Sequence, residues 1–513
     1  MLDFGIVLVY FVVIFAIAIA GRRKESGSAE DYFLSSRQLR WPSIALSTIA
    51  TNIQGYQFLG MMGSAYLYGL AQANLEINAV QGLLLAAFVF VPLFLQHKIT
   101  TVTEFINLKL GRRVGLFYSL ANLGLFSTIT LGAALFWGAY AADRVFGEQL
   151  AFLHSDRMLR IGILIVILGG FSAIYTYLGG LSAVVKTDVV QFFVLVTGGV
   201  AVLYVAVNAL GGWSELYAQT ADKMHLHLPA EHKTLPWTHL FGLFFSNINY
   251  WCANQTVIQR SLAAKNLREA QTGLLVGGML KYGMAVIIII PGIALYGILG
   301  NDLAEPDMAF PYLVTTYIPV GVKGVILCGL FASLMSTVDS TFNSIATLWS
   351  VDIYSGYLHK KANDLQKIQA GRKAILCSFF TALLMGWILL YLKFENTSAA
   401  FTHTLNELRY YINCGIVVLI CTAVLLTIPN KKRVLWAFLL TLPLNLILQY
   451  SFPEMNYFVR AFWVIFSGLV FAISGDIKSL QAPKQLFVAH SAKEAWRGFA
   501  LGISLVILHI LFH

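Results

Sequence analysis

Charge is what this chain has least of. Asp, Glu, Lys and Arg make up 12% of its 513 residues, where a soluble chain carries about a quarter. Loops are short as well. The longest gaps between apolar runs, 209–236 and 475–495, leave no room for a soluble module. Only five cysteines occur, Cys252, Cys328, Cys377, Cys414 and Cys421, all inside apolar runs. They show neither metal spacing nor a disulfide framework, so they read as small packing residues. No Gly-rich phosphate loop ending in Lys-Ser or Lys-Thr is present, which removes support for ATP-driven work. Catalytic signatures are missing too, and nothing calls for an organic cofactor or an obligate protein partner. These absences point away from an enzyme.

Hydrophobic residues, in contrast, make up 58% of the chain. A bilayer crossing needs ~20 apolar residues. Fourteen such runs are expected, at about 4–20, 41–65, 73–96, 114–141, 159–178, 183–208, 237–259, 270–299, 321–354, 372–392, 399–427, 433–450, 458–475 and 496–512. The reading is an all-α polytopic membrane protein, one transmembrane domain over 1–513.

Basic residues orient it. With the N-terminus outside and the runs alternating, inner loops collect 25 of the 35 Lys and Arg residues, among them Arg22-Arg23-Lys24, Arg112-Arg113, Lys186, Arg260, Lys360-Lys361 and Lys431-Lys432-Arg433. Eight fall outside, and Lys281 and Arg409 fall within runs. Both termini are then extracytoplasmic, in a plasma or bacterial inner membrane. Basic inner loops facing an anionic leaflet account for the +10 net charge, so the bilayer is the partner and no nucleic acid is needed. The first run lacks a basic n-region, and its charges follow it, unlike a cleaved signal peptide. Asn396-Thr397-Ser398 is a glycosylation acceptor on the outer side, relevant only in a eukaryotic host.

Residues 41–66, WPSIALSTIATNIQGYQFLGMMGSAY, place Asn52, Gln54, Tyr56 and Gln57 in mid-run beside Gly55 and Gly60. Two readings fit. One is a Gly-kinked helix whose polar groups bond to neighbours. The other is a broken helix lining a site, since backbone leaving helical geometry in hydrocarbon needs other partners.

Ionisable residues inside runs carry the strongest signal: Glu76, Asp188, Lys281, Asp339, Glu407 and Arg409. Each is expensive at the bilayer centre, at least ~2.5 kcal/mol, and such residues face cavities or one another. Glu76 and Lys281, deep in long runs, read as functional; Glu407 and Arg409, near a helix end, each read as structural, in an interhelical hydrogen bond or salt bridge. Asn247, Asn249 and Tyr250-Trp251 add amides and rings. A carboxylate, an ammonium, amides and aromatics suit sugar hydroxyls and the apolar face of a sugar ring. A second cluster is Ser333, Ser336, Thr337 and Ser340, on one helical face. Hydroxyls and freed carbonyls suit a hard cation, although such hydroxyls also bond back to their own helix.

These residues carry a resemblance. DYFLSSRQL at 31–39, NIQGYQFLGMMGSAY at 52–66, TVTEF at 101–105, YTYLGGLSAVVKTDVVQ at 175–191, NYWCANQTVIQRSLAAKN at 249–266, PVGVKGVILCGLFASLMSTVDSTFNS at 319–344 and VDIY at 351–354 resemble the sodium/solute symporter family, most closely its sodium–glucose and bacterial sodium–galactose branch. The similarity covers about 30–430.

The resemblance implies a LeuT-like core of five plus five helices in inverted repeat, 41–208 and 237–427, with broken first and sixth core helices. Residues 4–20 form a peripheral helix and 433–512 three more. It implies a sodium site from the backbone of Ala50, Ile53 and Ser333 and the hydroxyls of Ser336 and Thr337. Asp188 matches an Asp near the inner sodium exit. One reading places a further cation site over Asp188, Asp339 and Ser340, Asp339 being an extra acid; the other leaves Asp339 solvated in an inner vestibule or paired with Lys186. Substrate contacts map to Gln57, Glu76, Asn247, Lys281 and Asn406, with Trp251 beside them and Tyr250 as inner gate. Tyr56, Leu75, Ala79 and Asn406 depart from the branch, which reshapes the pocket. The implied function is symport of Na+ with a small neutral solute, a sugar or polyol. Glu76 beside Lys281 argues against an anion. Alternatives are a symporter for inositol, sialic acid or a monocarboxylate, and a non-transporting ligand sensor on the same fold.

Overall fold

The computed structural model describes residues 2–21, 28–303, 305–395 and 401–513, without side chains at 401–406. The Asn396 acceptor, the Arg22-Arg23-Lys24 cluster and the Asn406 side chain lie outside the described residues. Among these residues the chain is helical, and extended pairing is limited to isolated bridges such as Leu39 with Ala264. That follows from composition, because an apolar segment in lipid must satisfy its own N–H and C=O groups.

Ten helices are long and apolar enough to cross a membrane. Three features separate this number from the fourteen apolar runs. The 54-residue helix Arg157–Leu210 joins two runs, broken at Gly180, whose φ of +56° needs glycine. A Cβ there would lie 2.5 Å from the Tyr32 carbonyl oxygen. Tyr457–Ile473 has only 17 residues. Two further segments, near 41–68 and 239–262, are interrupted.

The helices that build the site are α1 (Leu2–Gly21), α2 (Trp41–Asn52), α3 (Arg157–Leu210), α4 (Gln255–Leu262), α5 (Leu267–Leu299) and α6 (Val322–Thr347). α6 is the centre: 94% of its apolar window is buried, against 17% for α1 and 22% for Ala492–Leu511. The last two present most of their surface outward, as lipid-facing helices do. α1 is nevertheless fixed to α6. The Asp3 carboxylate accepts the N–H groups of Gly321 and Gly324 at 2.8 and 2.7 Å, satisfying donors that a helix N-terminus leaves open.

Both interruptions have the same local form. Ile53 ends α2 at φ −76°, ψ 110°, and Asn254 precedes α4 at φ −75°, ψ 114°. Each break frees backbone groups, and side chains take them up. The Gln57 amide oxygen accepts Gln54 N–H, and the Asn254 side chain accepts Thr256 N–H at 2.9 Å. Of the two readings of 41–66, the broken helix is the one observed.

Candidate functional site

Beyond the first break, Asn52, Gln54 and Tyr56 face a cavity of about 150 Å³. Its other walls are Leu75, Glu76 and Ala79, then Asn247, Tyr250 and Trp251, then Lys281 of α5 and Arg409. Lys281 donates to Glu76 and Asn52, and all three helical segments meet at that ammonium. Gln57 Nε2 donates to the other Glu76 oxygen at 2.6 Å. The Lys281 Nζ sits 5.7 Å from the Trp251 ring centroid, within cation–π reach. Trp251 comes this close because Gly82 has no side chain: a Cβ there would lie 2.5 Å from the indole. Asn247 donates to the Asn78 carbonyl at 2.8 Å, which turns it toward the same wall.

Most of the expected substrate residues therefore converge. Gln57 is the exception: buried behind Glu76, it does not line the cavity, and its bonds hold Glu76 and the break. Tyr56, Leu75 and Ala79, the departures from the branch, all line the wall. Arg409, expected to be structural, lines the cavity, whereas Glu407 pairs with Arg460 as a structural residue would. Proximity to the start of a helix hid Arg409, because a long basic side chain near a helix end usually reaches water.

The cavity lies in a series. A smaller one of about 70 Å³ shares Gln54, Asn249, Tyr250, Arg409 and Asn413 with it. A larger one of about 490 Å³ shares Ser64 and is lined by Asp307, Glu407 and Arg460. Tyr250 thus stands between the central and the smaller spaces. In the larger one burial pushes the Asp307 carboxyl up, and the Lys393 ammonium at 3.3 Å opposes that shift.

The α2–α6 contact holds the expected ion-site residues. Ala50 and Ile53 are buried at the α2 end. Thr337 donates to the Thr51 carbonyl at 3.1 Å and to the Ser333 carbonyl at 3.2 Å. Ser336 donates to Asp188. The hydroxyl pair thus bridges α6 to α2 and to α3.

Asp188, Asp339 and Ser340 do not form one site. Asp188 accepts from Ser47, Ser336 and Arg260, the last at 2.9 Å. Arg260 also donates to Thr51 and Ser340. Arg260 was expected in an inner loop. It is 1% exposed, because α4 continues past the break and carries it back into the protein. Asp339, one position from Ser340, faces elsewhere and accepts from Tyr175. It is fully buried, not solvated in a vestibule, and Lys186 is exposed.

Helices crossing a membrane, two of them broken beside a buried polar cavity, with a hydroxyl-bearing helix against the first break, define a secondary transporter. The comparisons agree. A model of the sodium:solute symporter family matches residues 32–440. A sodium/glucose cotransporter of Vibrio parahaemolyticus is 30% identical over 100% of this chain and 98% of its own length. Sodium/glucose cotransporter 4 of Mus musculus is 28% identical over 88% of this chain and 69% of its own. Among solved structures, a Na+-coupled sialic acid symporter in a substrate-bound outward-open state superposes with a TM-score of 0.81 at 20% identity, covering 94% of this chain and 99% of that one. Mhp1, a nucleobase-cation-symport-1 family transporter, gives 0.52 at 14% identity over 93% and 99%. The chain belongs to the sodium:solute symporter family. It is a multi-pass membrane protein that couples solute movement to Na+, and it is not an enzyme.

Proposed function

We propose that the chain carries a neutral sugar or sugar-like polyol inward together with Na+. The observation behind this reading is the Glu76–Lys281 pair, held by Gln57 and Asn52 at the wall of a cavity that also presents Tyr56, Tyr250 and Trp251. The pair is neutral as a unit yet offers an acceptor and a donor, and rings stand beside it for an apolar sugar face. Glu76, Asn247 and Lys281 bind substrate, Trp251 covers it, Tyr250 closes the inner side, and Gln57 acts through Glu76. Asn406 belongs to this set on the family resemblance alone. Na+ binds between the carbonyls of Ala50, Ile53 and Ser333 and the hydroxyls of Ser336 and Thr337. It displaces the Thr337–Thr51 hydrogen bond and ties α2 to α6, favouring the outward-open form. The chain crosses the membrane fourteen times with both termini outside, in repeats 41–208 and 237–427.

A second reading has one observation in its favour. Arg409 adds a cation to the cavity wall, which suits a carboxylate-bearing solute such as a sialic acid or a monocarboxylate. Thermal stabilisation of the purified protein by a panel of hexoses, polyols and sugar acids, with and without NaCl, separates the two. Stabilisation by a neutral sugar that needs Na+ is expected. Stabilisation by carboxylates alone would replace the proposal with the second reading.

A further inference from the structure

Past Thr347, α6 continues in π-helical turns over Leu348–Leu358, and a groove of about 600 Å³ opens beside it. Ile345 and Trp349 form its floor. One wall is the helix Arg112–Leu125, through Leu120, Leu123 and Gly124. The other is the helix Asp364–Glu395, through Gln366, Gln369, Lys373, Ala374, Cys377 and Thr381. These positions, three and four apart, share one face. The walls meet at one end, where the Thr381 hydroxyl donates to the Ser127 carbonyl at 2.8 Å. At the other end Arg112 donates to the Gly356 carbonyl, and exposed Leu358 forms the lip.

The two ends differ in chemistry. Toward Thr381 the hydroxyls are spent on backbone, Ser378 on the Ile375 carbonyl at 2.9 Å and Ser127 on the Leu123 carbonyl at 2.6 Å, which leaves that end apolar. Toward the lip, 359–373 carries Lys360, Lys361, Lys367, Arg372 and Lys373 against one acid, Asp364. Asp364 pairs with Lys367 at 3.4 Å. Lys360, Lys361 and Lys373 are exposed and make no ion pair among the described residues. The length is informative too. From Gln366 to Thr381 a helix rises ~22 Å, and one leaflet with its headgroups is ~20–22 Å deep. Lys373 stands about midway, where the wall turns from polar to apolar. We propose that the groove binds one phospholipid with an anionic headgroup. Its phosphate lies on Lys373, its head toward Lys360 and Lys361, and one acyl chain along Leu123, Gly124 and Trp349. Lysines at a membrane surface attract anionic lipids, and a tail supplies the contacts that an open groove lacks. The lipid would join α6 to both flanking helices. It touches none of the residues assigned to solute or Na+, so the proposal does not depend on which solute is carried.

The test is native mass spectrometry of purified, delipidated full-length protein in detergent, titrated with phosphatidylglycerol or with phosphatidylcholine of the same acyl chains. One tightly held phosphatidylglycerol per chain is expected, preferred over phosphatidylcholine by about tenfold or more. Lys373→Gln should weaken it about fivefold, and Lys360→Gln/Lys361→Gln/Lys373→Gln should abolish the preference. A Cβ on Gly124 would meet nothing within 4 Å. Gly124→Leu should therefore fill the groove and displace both lipids, with the lipid-free melting temperature unchanged. Equal retention of the two lipids by wild type would overturn the site, as would phosphatidylglycerol binding unchanged in the triple variant or in Gly124→Leu. A dimer in lipid-free detergent that Gly124→Leu dissociates would assign the groove to a second copy of the chain and overturn it too.

Discussion

Two buried ion pairs lie on either side of α2, made of the same chemistry and set in different surroundings. Glu76–Lys281 borders a cavity, and its supporting groups are the amides Asn52 and Gln57. Asp188–Arg260 is packed, and its supporting groups are the hydroxyls of Ser47, Thr51, Ser336 and Ser340. A buried pair is weak evidence for stability, since desolvation offsets most of the attraction, but a pair that loses one member leaves a stranded charge. What happens next depends on water. At the cavity wall the stranded group is hydrated and the loss falls on recognition. In the packed network it stays dry and the loss falls on the fold. On the proposed reading the first pair belongs to binding, and the second joins α2, α3, α4 and α6, the elements that meet at the proposed ion site.

The largest effect expected from this contrast is on stability. Arg260→Met should destabilise the protein by ~3–5 kcal/mol, the usual result of breaking a buried pair. It would be seen as a large fall in melting temperature in detergent or as failure to yield folded protein. Arg260→Met/Asp188→Leu should recover much of the loss. Wild-type melting in the single variant would erase the distinction between the two regions.

Glu76→Gln and Lys281→Met should leave melting within a few degrees while weakening apparent solute affinity 10–100-fold, as removal of a charged hydrogen bond worth ~1.5–3 kcal/mol implies. Uptake against concentration of labelled solute measures this. A stability loss as large as that of Arg260→Met would make Glu76–Lys281 merely structural.

Part of this contrast was legible in the sequence and part was not. Glu76 and Lys281 stood out because a lone charge deep in a long apolar run has few bland explanations. The polar string at 52–57 fitted a break and a Gly-kinked helix equally, and only the structure selects the break at Ile53. Arg260 was invisible for the opposite reason. It follows the run 237–259 by one residue, where a basic inner loop is expected, and only the continuation of α4 beyond Asn254 carries it inward. Gln57 was assigned to the substrate by the family resemblance, but its bonds are spent on Glu76 and on the freed Gln54 N–H. Asp339 was visible as a charge, yet its partner Tyr175 comes from α3, a pairing no single segment encodes.

A smaller effect should come from the α2–α6 contact. Thr337→Ala would remove one oxygen from the proposed ion site, worth ~1 kcal/mol, and should raise the Na+ concentration for half-maximal uptake about fivefold, with folding intact. Ser336→Ala should do more, because it also takes a hydrogen bond from Asp188. Unchanged Na+ activation in both would remove the hydroxyl pair from the ion site.

The smallest effect lies outside both regions, where the chain end docks on the 225–228 loop. Leu226 N–H donates to the Phe512 carbonyl at 2.7 Å, and the His227 ring lies 4.9 Å from that of His513. Burial, then the neighbouring His513, holds His227 below the usual imidazole range. Its neutral form is favoured in the folded protein, so this contribution is present above about pH 6.5 and is lost as pH falls below that toward the depressed value. Wild type should lose slightly more melting temperature than His227→Phe between pH 7.5 and 5.5. Equal losses would show that the contact does not sense protonation.

The central claim is that the cavity and the α2–α6 contact act together, one taking a neutral sugar and the other Na+. The most direct measurement is uptake of labelled hexoses and polyols into proteoliposomes, with an inward NaCl gradient and with choline chloride in its place. The account predicts that at least one neutral sugar accumulates above its external concentration only with Na+, and that Glu76→Gln, in folded protein, needs about 10–100-fold more of that sugar for the same uptake. Accumulation that persists in choline, or Na+-driven uptake of sugar acids with none of any neutral sugar, would contradict it.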